Sequence, residues 1–166
     1  MARVFVSIGS NIEPKQKVRS ALMALRLAYG ELQISPVYES VAVGFEGENF
    51  LNLVVAFDTN ADVWQVFRHL REIEAANGRI RGGAKFAARS LDLDLLLYDD
   101  LLLDAPDLKL PRDEIHRYAF VLRPLADIAP DRIDPSCGQS YAKLWQSFDA
   151  SGQDLWIVEF EALLAQ

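Results

Sequence analysis

The stretch Arg89-Ser90-Leu91-Asp92-Leu93-Asp94-Leu95-Leu96-Leu97-Tyr98 sets two carboxylates two residues apart inside an otherwise apolar run. Its length and leucine content predict a strand, and in a strand side chains at i and i+2 share one face about 6.5 Å apart. Asp92 and Asp94 are then neighbours. Like charges side by side on a sheet repel, and apolar surroundings add a desolvation cost, so the pair calls for a cation. A hard ion such as Mg²⁺ fits, since it is usually held by one or two protein carboxylates, with water and substrate phosphates completing its shell.

The residues just before this strand carry the opposite charge. No acidic residue falls between Glu74 and Asp92, whereas Arg79, Arg81, Lys85 and Arg89 all do, in a chain with 17 basic and 24 acidic residues. Gly78, Gly82 and Gly83 lie in the same segment and predict a mobile loop able to bring guanidinium forks onto an anion. A D-x-D strand or an arginine-rich loop is common surface chemistry when met alone. Adjacent, they fit a metal-bridged polyphosphate better than a bare anion or a bare metal.

At 166 residues the chain has the length of one domain with a sizeable core, spanning residues 1–166. Its net charge of −7 argues against a nucleic-acid partner, because a phosphate backbone would be repelled by most of the surface. The first apolar run, Val4 to Ile8, is too short for a signal peptide, and no run approaches the roughly 20 apolar residues of a membrane span. A cytoplasmic, membrane-free monomer is the expectation. Cys137, the only cysteine, lies in Pro135-Ser136-Cys137-Gly138 and reads as a bystander thiol.

Val4 to Ile8 reads as a strand stopped by Gly9-Ser10-Asn11. A helix follows from about Pro14, with Val18, Ala21, Leu22, Leu25 and Ala28 on one stripe and Gly30 as terminator. Glu31 to Val43 looks extended, Gly44 to Glu48 forms a turn, and Phe50 to Thr59 is a second clear strand. Asp62 caps a helix, with Gln65 at capping-box spacing, Val63, Val66, Phe67, Leu70 and Ile73 inward, and Asn77-Gly78 at its end. After the Asp92 strand come a short hairpin strand at Leu101–Leu103 and an apolar helix from Ala119 to Ile128. A helix at Tyr141–Phe148 and a strand at Leu155–Phe160 complete the order. This order predicts an α+β fold, a ferredoxin-like βαββαβ core with additional C-terminal elements and helices on one face of a mostly antiparallel sheet.

Five ordered segments resemble the 6-hydroxymethyl-7,8-dihydropterin pyrophosphokinase family of folate biosynthesis. They are Val4-Phe5-Val6-Ser7-Ile8-Gly9-Ser10-Asn11, Phe50-Leu51-Asn52, Gly78-Arg79-Ile80-Arg81, Arg89-Ser90-Leu91-Asp92-Leu93-Asp94, and Ala119 to Leu125 with Ile128-Ala129-Pro130. The resemblance implies transfer of the β,γ-pyrophosphate of ATP to the pterin hydroxymethyl oxygen with release of AMP, assisted by two Mg²⁺ ions. It makes Asp92 and Asp94 the metal ligands and assigns them catalytic roles together with Arg79 and Arg89. Glu74, Arg79, Arg81, Arg89, Leu95 and Arg112 fall on nucleotide-facing positions, and Ser40, Val43, Phe50, Asn52 and Phe120 on pterin-facing ones. Phe50 and Phe120 would stack on the two faces of the bicycle, and the Asn52 amide would read its edge.

The chain departs from the family pattern in three places. Lys85-Phe86-Ala87-Ala88-Arg89 stands where Arg-Trp-Gly-Pro-Arg is usual, Arg112 stands where a nucleotide-facing His is usual, and Tyr118 occupies the position of a catalytic-loop Arg. Arg117 lies one residue away, a turn of about 100° if the segment is helical. His116 and His69 read as surface residues with no carboxylate partner evident in the sequence. The departures leave room for a non-catalytic or altered-specificity pterin- or nucleotide-binding paralogue. A ferredoxin-like interaction domain, in which Phe50 and Phe120 are merely core, is a third reading.

Overall fold

The computed structural model describes residues 1–41, 48–78 and 91–159. Strand β1 (Ala2–Ser10) is followed by helix α1 (Pro14–Tyr29), β2 (Gln33–Ile34), β3 (Val37–Ser40), β4 (Phe50–Thr59), α2 (Val63–Ala76) and β5 (Asp92–Tyr98). A small hairpin of β6 (Leu103–Asp104) and β7 (Lys109–Leu110) comes next. A 3₁₀ turn (Asp113–His116), α3 (Ala119–Ile128), α4 (Tyr141–Gln146) and β8 (Leu155–Val158) follow.

Local chemistry sets these boundaries. Pro14 opens α1, where its missing N–H leaves no hydrogen bond unmade, and Gly30, at φ 83°, closes it by donating to the Arg26 carbonyl. Asp62 and Gln65 exchange side-chain and backbone hydrogen bonds of 2.9 Å each, the capping box that starts α2. Pro36 lacks an N–H, so the extended segment after α1 is two strands rather than one. At the break, Ser35 holds the edge of β4 by accepting from Val54 N through its Oγ and donating its own N–H to the Val54 carbonyl, both at 2.9 Å.

The main sheet runs β5-β1-β4-β3-β8 with every pairing antiparallel, and β2 pairs β4 beside this path. Alternation along the strands sends two sets of apolar residues in opposite directions. Val4, Val6, Ile8, Leu53, Val55, Phe57, Leu93 and Leu95 pack with Val18, Leu22 and Leu25 of α1 and Val66 and Leu70 of α2. Phe5, Val54, Ala56, Leu96 and Leu97 pack with Val121, Leu122 and Leu125 of α3 and with Tyr141 of α4. Helices therefore cover both faces, not one: α1 and α2 lie on the first face, and the C-terminal elements on the second.

Three boundaries and one inward-facing residue differ from the sequence reading. Gly9 and Ser10 stay in β1, because their backbones pair with Asn52 and Leu51. Ala28 is exposed, and Tyr29 instead packs on Phe57 with ring centroids 4.1 Å apart. The small hairpin begins at Leu103, while Leu101 and Leu102 are exposed. Helix α4 stops at Gln146, leaving Phe148 to stack on Trp145 beyond its end.

Candidate active site on one end of a sheet face

Helices α3 and α4 cover only part of the second face, and the polar residues of the strands gather on the rest of it. Residues directly opposite in antiparallel strands point the same way. Asp92 pairs with Gly9, Gly9 with Asn52, Asn52 with Tyr38, and Phe50 with Ser40. The register thus lays Asp92, Gly9 and Asn52 across three adjacent strands. With strands about 4.8 Å apart, Asp92 and Asn52 are separated by about 10 Å. Gly9 leaves the floor between them bare: a Cβ there would stand 3.4 Å from Asn52 Oδ1.

At one side lies an acidic cluster. Asp92 and Asp94 are half-buried on β5, the edge strand, and Glu74 reaches them from the last turn of α2. Glu74 is only 1% exposed, and its Oε2 accepts the Leu93 N–H at 2.8 Å, which fixes its carboxylate beside the strand. One oxygen from each of Glu74, Asp92 and Asp94 lies within 4.8 Å of the others. An all-carboxylate donor set of this spacing suits a hard divalent ion. Arg112 faces the same cluster: its Nη2 stands 3.4 Å from Asp94 Oδ1 and 2.7 Å from Glu114 Oε1. Its backbone N–H donates to the Leu96 carbonyl, which ties the segment to the outer edge of β5. Burial opposes the guanidinium charge, but Asp94, Glu114 and Asp92 outweigh it and hold the Arg112 pKa above its ordinary value. Leu95 is buried on the α2 side and lines a cavity of about 160 Å³ with Phe67, Leu70, Asp107, Leu108 and Arg112.

At the other side lies an amide and aromatic patch. Asn52 is buried and donates from Nδ2 to Ser40 Oγ at 2.8 Å, which orients the amide. Phe50, half-buried, is the next residue on the same face of β4. Phe120, half-buried on the first turn of α3, stacks on Tyr118 with centroids 5.1 Å apart and planes 17° apart. Tyr38, directly opposite Asn52, donates to Asp127 and so ties β3 to α3.

Of the residues singled out in the sequence, Asp92, Asp94, Glu74 and Arg112 come together at the acidic cluster. Ser40 and Asn52 come together at the patch. Arg79, Arg81, Lys85, Arg89 and Val43 lie outside the described residues. Two expectations need correction. His116 is not without a carboxylate: its Nε2 lies 3.1 Å from Oδ2 of fully buried Asp134, and His69 Nδ1 meets the Tyr29 hydroxyl at 2.8 Å. Arg117 is not on a helix, for Tyr118 caps α3 in an extended conformation and the Arg117 guanidinium sits 5.7 Å from its ring centroid. Sequence reasoning also took Gly9 for a turn residue. The signal that could have found it was its place opposite Asn52 once β1 and β4 were paired.

Fold and site describe a small protein of helices and an antiparallel sheet, with a carboxylate cluster and, across Gly9, the Asn52–Phe50 patch on one sheet face. Residues 5–130 match the sequence pattern of 7,8-dihydro-6-hydroxymethylpterin-pyrophosphokinase (HPPK). The chain belongs to that family. It is 43% identical over 133 residues to the 2-amino-4-hydroxy-6-hydroxymethyldihydropteridine pyrophosphokinase of Pseudomonas aeruginosa, covering 78% of this chain and 82% of that one. The Synechocystis protein of the same name is 34% identical over 149 residues, covering 88% and 76%. In solved structures, an HPPK-DHPS in complex with substrates superposes with a TM-score of 0.70 at 12% identity, which bears on the fold alone. That match covers 89% of this chain, which spans 45% of the other's length.

Proposed function

We propose that Asp92, Asp94 and Glu74 hold Mg²⁺ for the family's reaction, transfer of pyrophosphate from ATP to hydroxymethyldihydropterin in folate biosynthesis. The observation that carries this reading is the carboxylate cluster itself, three oxygens within 4.8 Å, on the sheet face that the register also gives Asn52 and Phe50. Bound Mg²⁺, two ions by resemblance to the family, supplies Lewis-acid neutralisation of phosphate oxygens. The chain's own residues do the rest. Arg112 and, by resemblance, Arg79, Arg81 and Arg89 draw in the triphosphate, with Leu95 on the nucleotide side. Asn52, oriented by Ser40, reads the pterin edge, and Phe50, Phe120 and Val43 bound the ring.

The bare floor at Gly9 lies on the line between the two halves. A pterin on the Asn52 side would extend its hydroxymethyl arm across Gly9 towards phosphates held near Asp92. The pterin hydroxyl oxygen would then attack the β-phosphorus and give up its proton to solvent, while the bond from the α,β-bridging oxygen to the β-phosphorus breaks and AMP leaves. Strand order β5-β1-β4-β3, with α1 and α2 on one face, supports reading the core as ferredoxin-like. We take the whole as a single domain that acts as a cytoplasmic monomer, and among the described residues no helix is long and apolar enough to cross a membrane.

Calorimetric titration of Mg²⁺ into the protein with a non-hydrolysable ATP analogue tests the metal assignment. Asp92→Asn and Asp94→Asn should each weaken the metal binding tenfold or more, by about 1.4 kcal/mol. Undiminished binding in both variants would contradict it.

A further inference from the structure

The segment between α4 and β8 takes no part in the chemistry above, yet one of its side chains reaches the start of α3. Gln153 straddles Tyr118: its Oε1 accepts the Ala119 N–H at 2.8 Å and its Nε2 donates to the Arg117 carbonyl at 3.2 Å. The two bonds pin the backbone on both sides of Tyr118, which caps α3 at φ −124° and ψ 125°. Inside a helix, residues two apart point about 200° from one another and their rings do not meet. With Tyr118 held extended, its ring instead lies nearly parallel to that of Phe120, at 5.1 Å and 17°. The Arg117 guanidinium sits by the Tyr118 ring at 5.7 Å.

We propose that Gln153 and Tyr118 are positioning residues for the pterin: Gln153 fixes the backbone of Tyr118, and the Tyr118 ring fixes the plane of Phe120 before substrate arrives. This rests on the reading of Phe120 as a pterin wall. An aromatic wall set in advance loses little side-chain freedom on binding, so its orientation appears directly in pterin affinity. The tyrosine thus has a task at the pterin half of the site, although the family pattern places an arginine there for the phosphates. The C-terminal segment acquires a role in substrate binding by the same route.

The test measures the dissociation constant of 6-hydroxymethylpterin, the KM for dihydropterin and for ATP, and the melting temperature, for Phe120→Ala, Tyr118→Ala, Tyr118→Phe and Gln153→Ala. Phe120→Ala should weaken pterin binding. Tyr118→Ala should weaken it roughly two- to tenfold, the range of one aromatic stacking pair. Tyr118→Phe should restore most of that loss, and Gln153→Ala should raise the pterin KM in the same direction with the ATP KM unmoved. If Phe120→Ala leaves pterin binding unchanged, the pterin-site reading fails and this inference falls with it. If Phe120→Ala weakens binding but Tyr118→Ala and Gln153→Ala do not, or if pterin and ATP KM rise together, the positioning role alone is overturned. Should Tyr118→Ala melt too early to assay, Gln153→Ala and Tyr118→Phe decide.

Discussion

Asp92 and Asp94 share the carboxylate cluster but have unequal neighbours, because the Arg112 guanidinium lies beside Asp94 at 3.4 Å. Replacing either aspartate by asparagine keeps the shape and removes a charge, so turnover should fall by about two orders of magnitude or more in both. Metal-free stability should separate them. Asp92→Asn relieves repulsion within the cluster and should melt no lower than wild type, whereas Asp94→Asn also gives up Arg112 and should gain less. Thermal melts without Mg²⁺ check this, and a clearly destabilised Asp92→Asn would mean that its charge serves a structural ion pair. His116 offers a second test at this scale. Its hydrogen bond to Asp134 raises its pKa against the opposing effect of burial. Asp134 would be raised by burial, but hydrogen bonds from His116, Ser136 and Tyr141 outweigh that and bring it down to about 2. Stability from protonated His116 is complete below its unfolded value of about 6.5 and lost as pH rises through its higher native value. That from Asp134 is complete above its unfolded value of about 3.8 and lost as pH falls towards 2. The gap in melting temperature between wild type and His116→Gln should therefore be wide at pH 5.5 and narrow by pH 9. A gap constant across that range would contradict the pairing.

Among the elements, β1 does most to assemble the site, because it is flanked by β4 and β5 and brings the residues of both onto one floor. Gly9 → Ala should fold normally, since the added methyl meets Asn52 Oδ1 at 3.4 Å, an ordinary contact. It should nevertheless raise the pterin KM several-fold by roughening the floor, and Gly9→Leu should abolish turnover at near-native melting temperature. Unchanged kinetics in Gly9→Leu would move the substrate path elsewhere. The near-continuous apolar run of β4 and the period-3.6 stripes of α1 and α2 were legible in the sequence, because each is a local pattern sustained over many residues. The Asp62–Gln65 cap was legible for the same reason, a local bond between near neighbours. Cover on the second face was not, since α3 and α4 are short and the decision to pack them against Phe5 and Val54 is tertiary. The Arg112–Asp94 pair, the His116–Asp134 pair and the Gln153 clasp were equally hidden, for each joins residues 18 or more apart with no shared period.

For the molecule as a whole, the acidic surface that goes with a net charge of −7 leaves cations to be gathered locally, and the sequence concentrates them just ahead of β5. Asp92 and the Asn52–Phe50 patch lie at the same end of one sheet face, and on the proposed reading this would hold two substrates with their reacting atoms in line. Positioning of this kind accounts for much of phosphoryl-transfer catalysis. On the proposed reading the departures at Arg112 and Tyr118 would change rate and affinity, while the identity of the bond broken would follow from which phosphorus the pterin oxygen reaches. Product analysis is therefore the most direct measurement. Incubated with ATP, Mg²⁺ and 6-hydroxymethyl-7,8-dihydropterin, the protein should form AMP and the pterin diphosphate in equal amounts. ADP with a monophosphorylated pterin, or no turnover of the reduced pterin, would contradict the account.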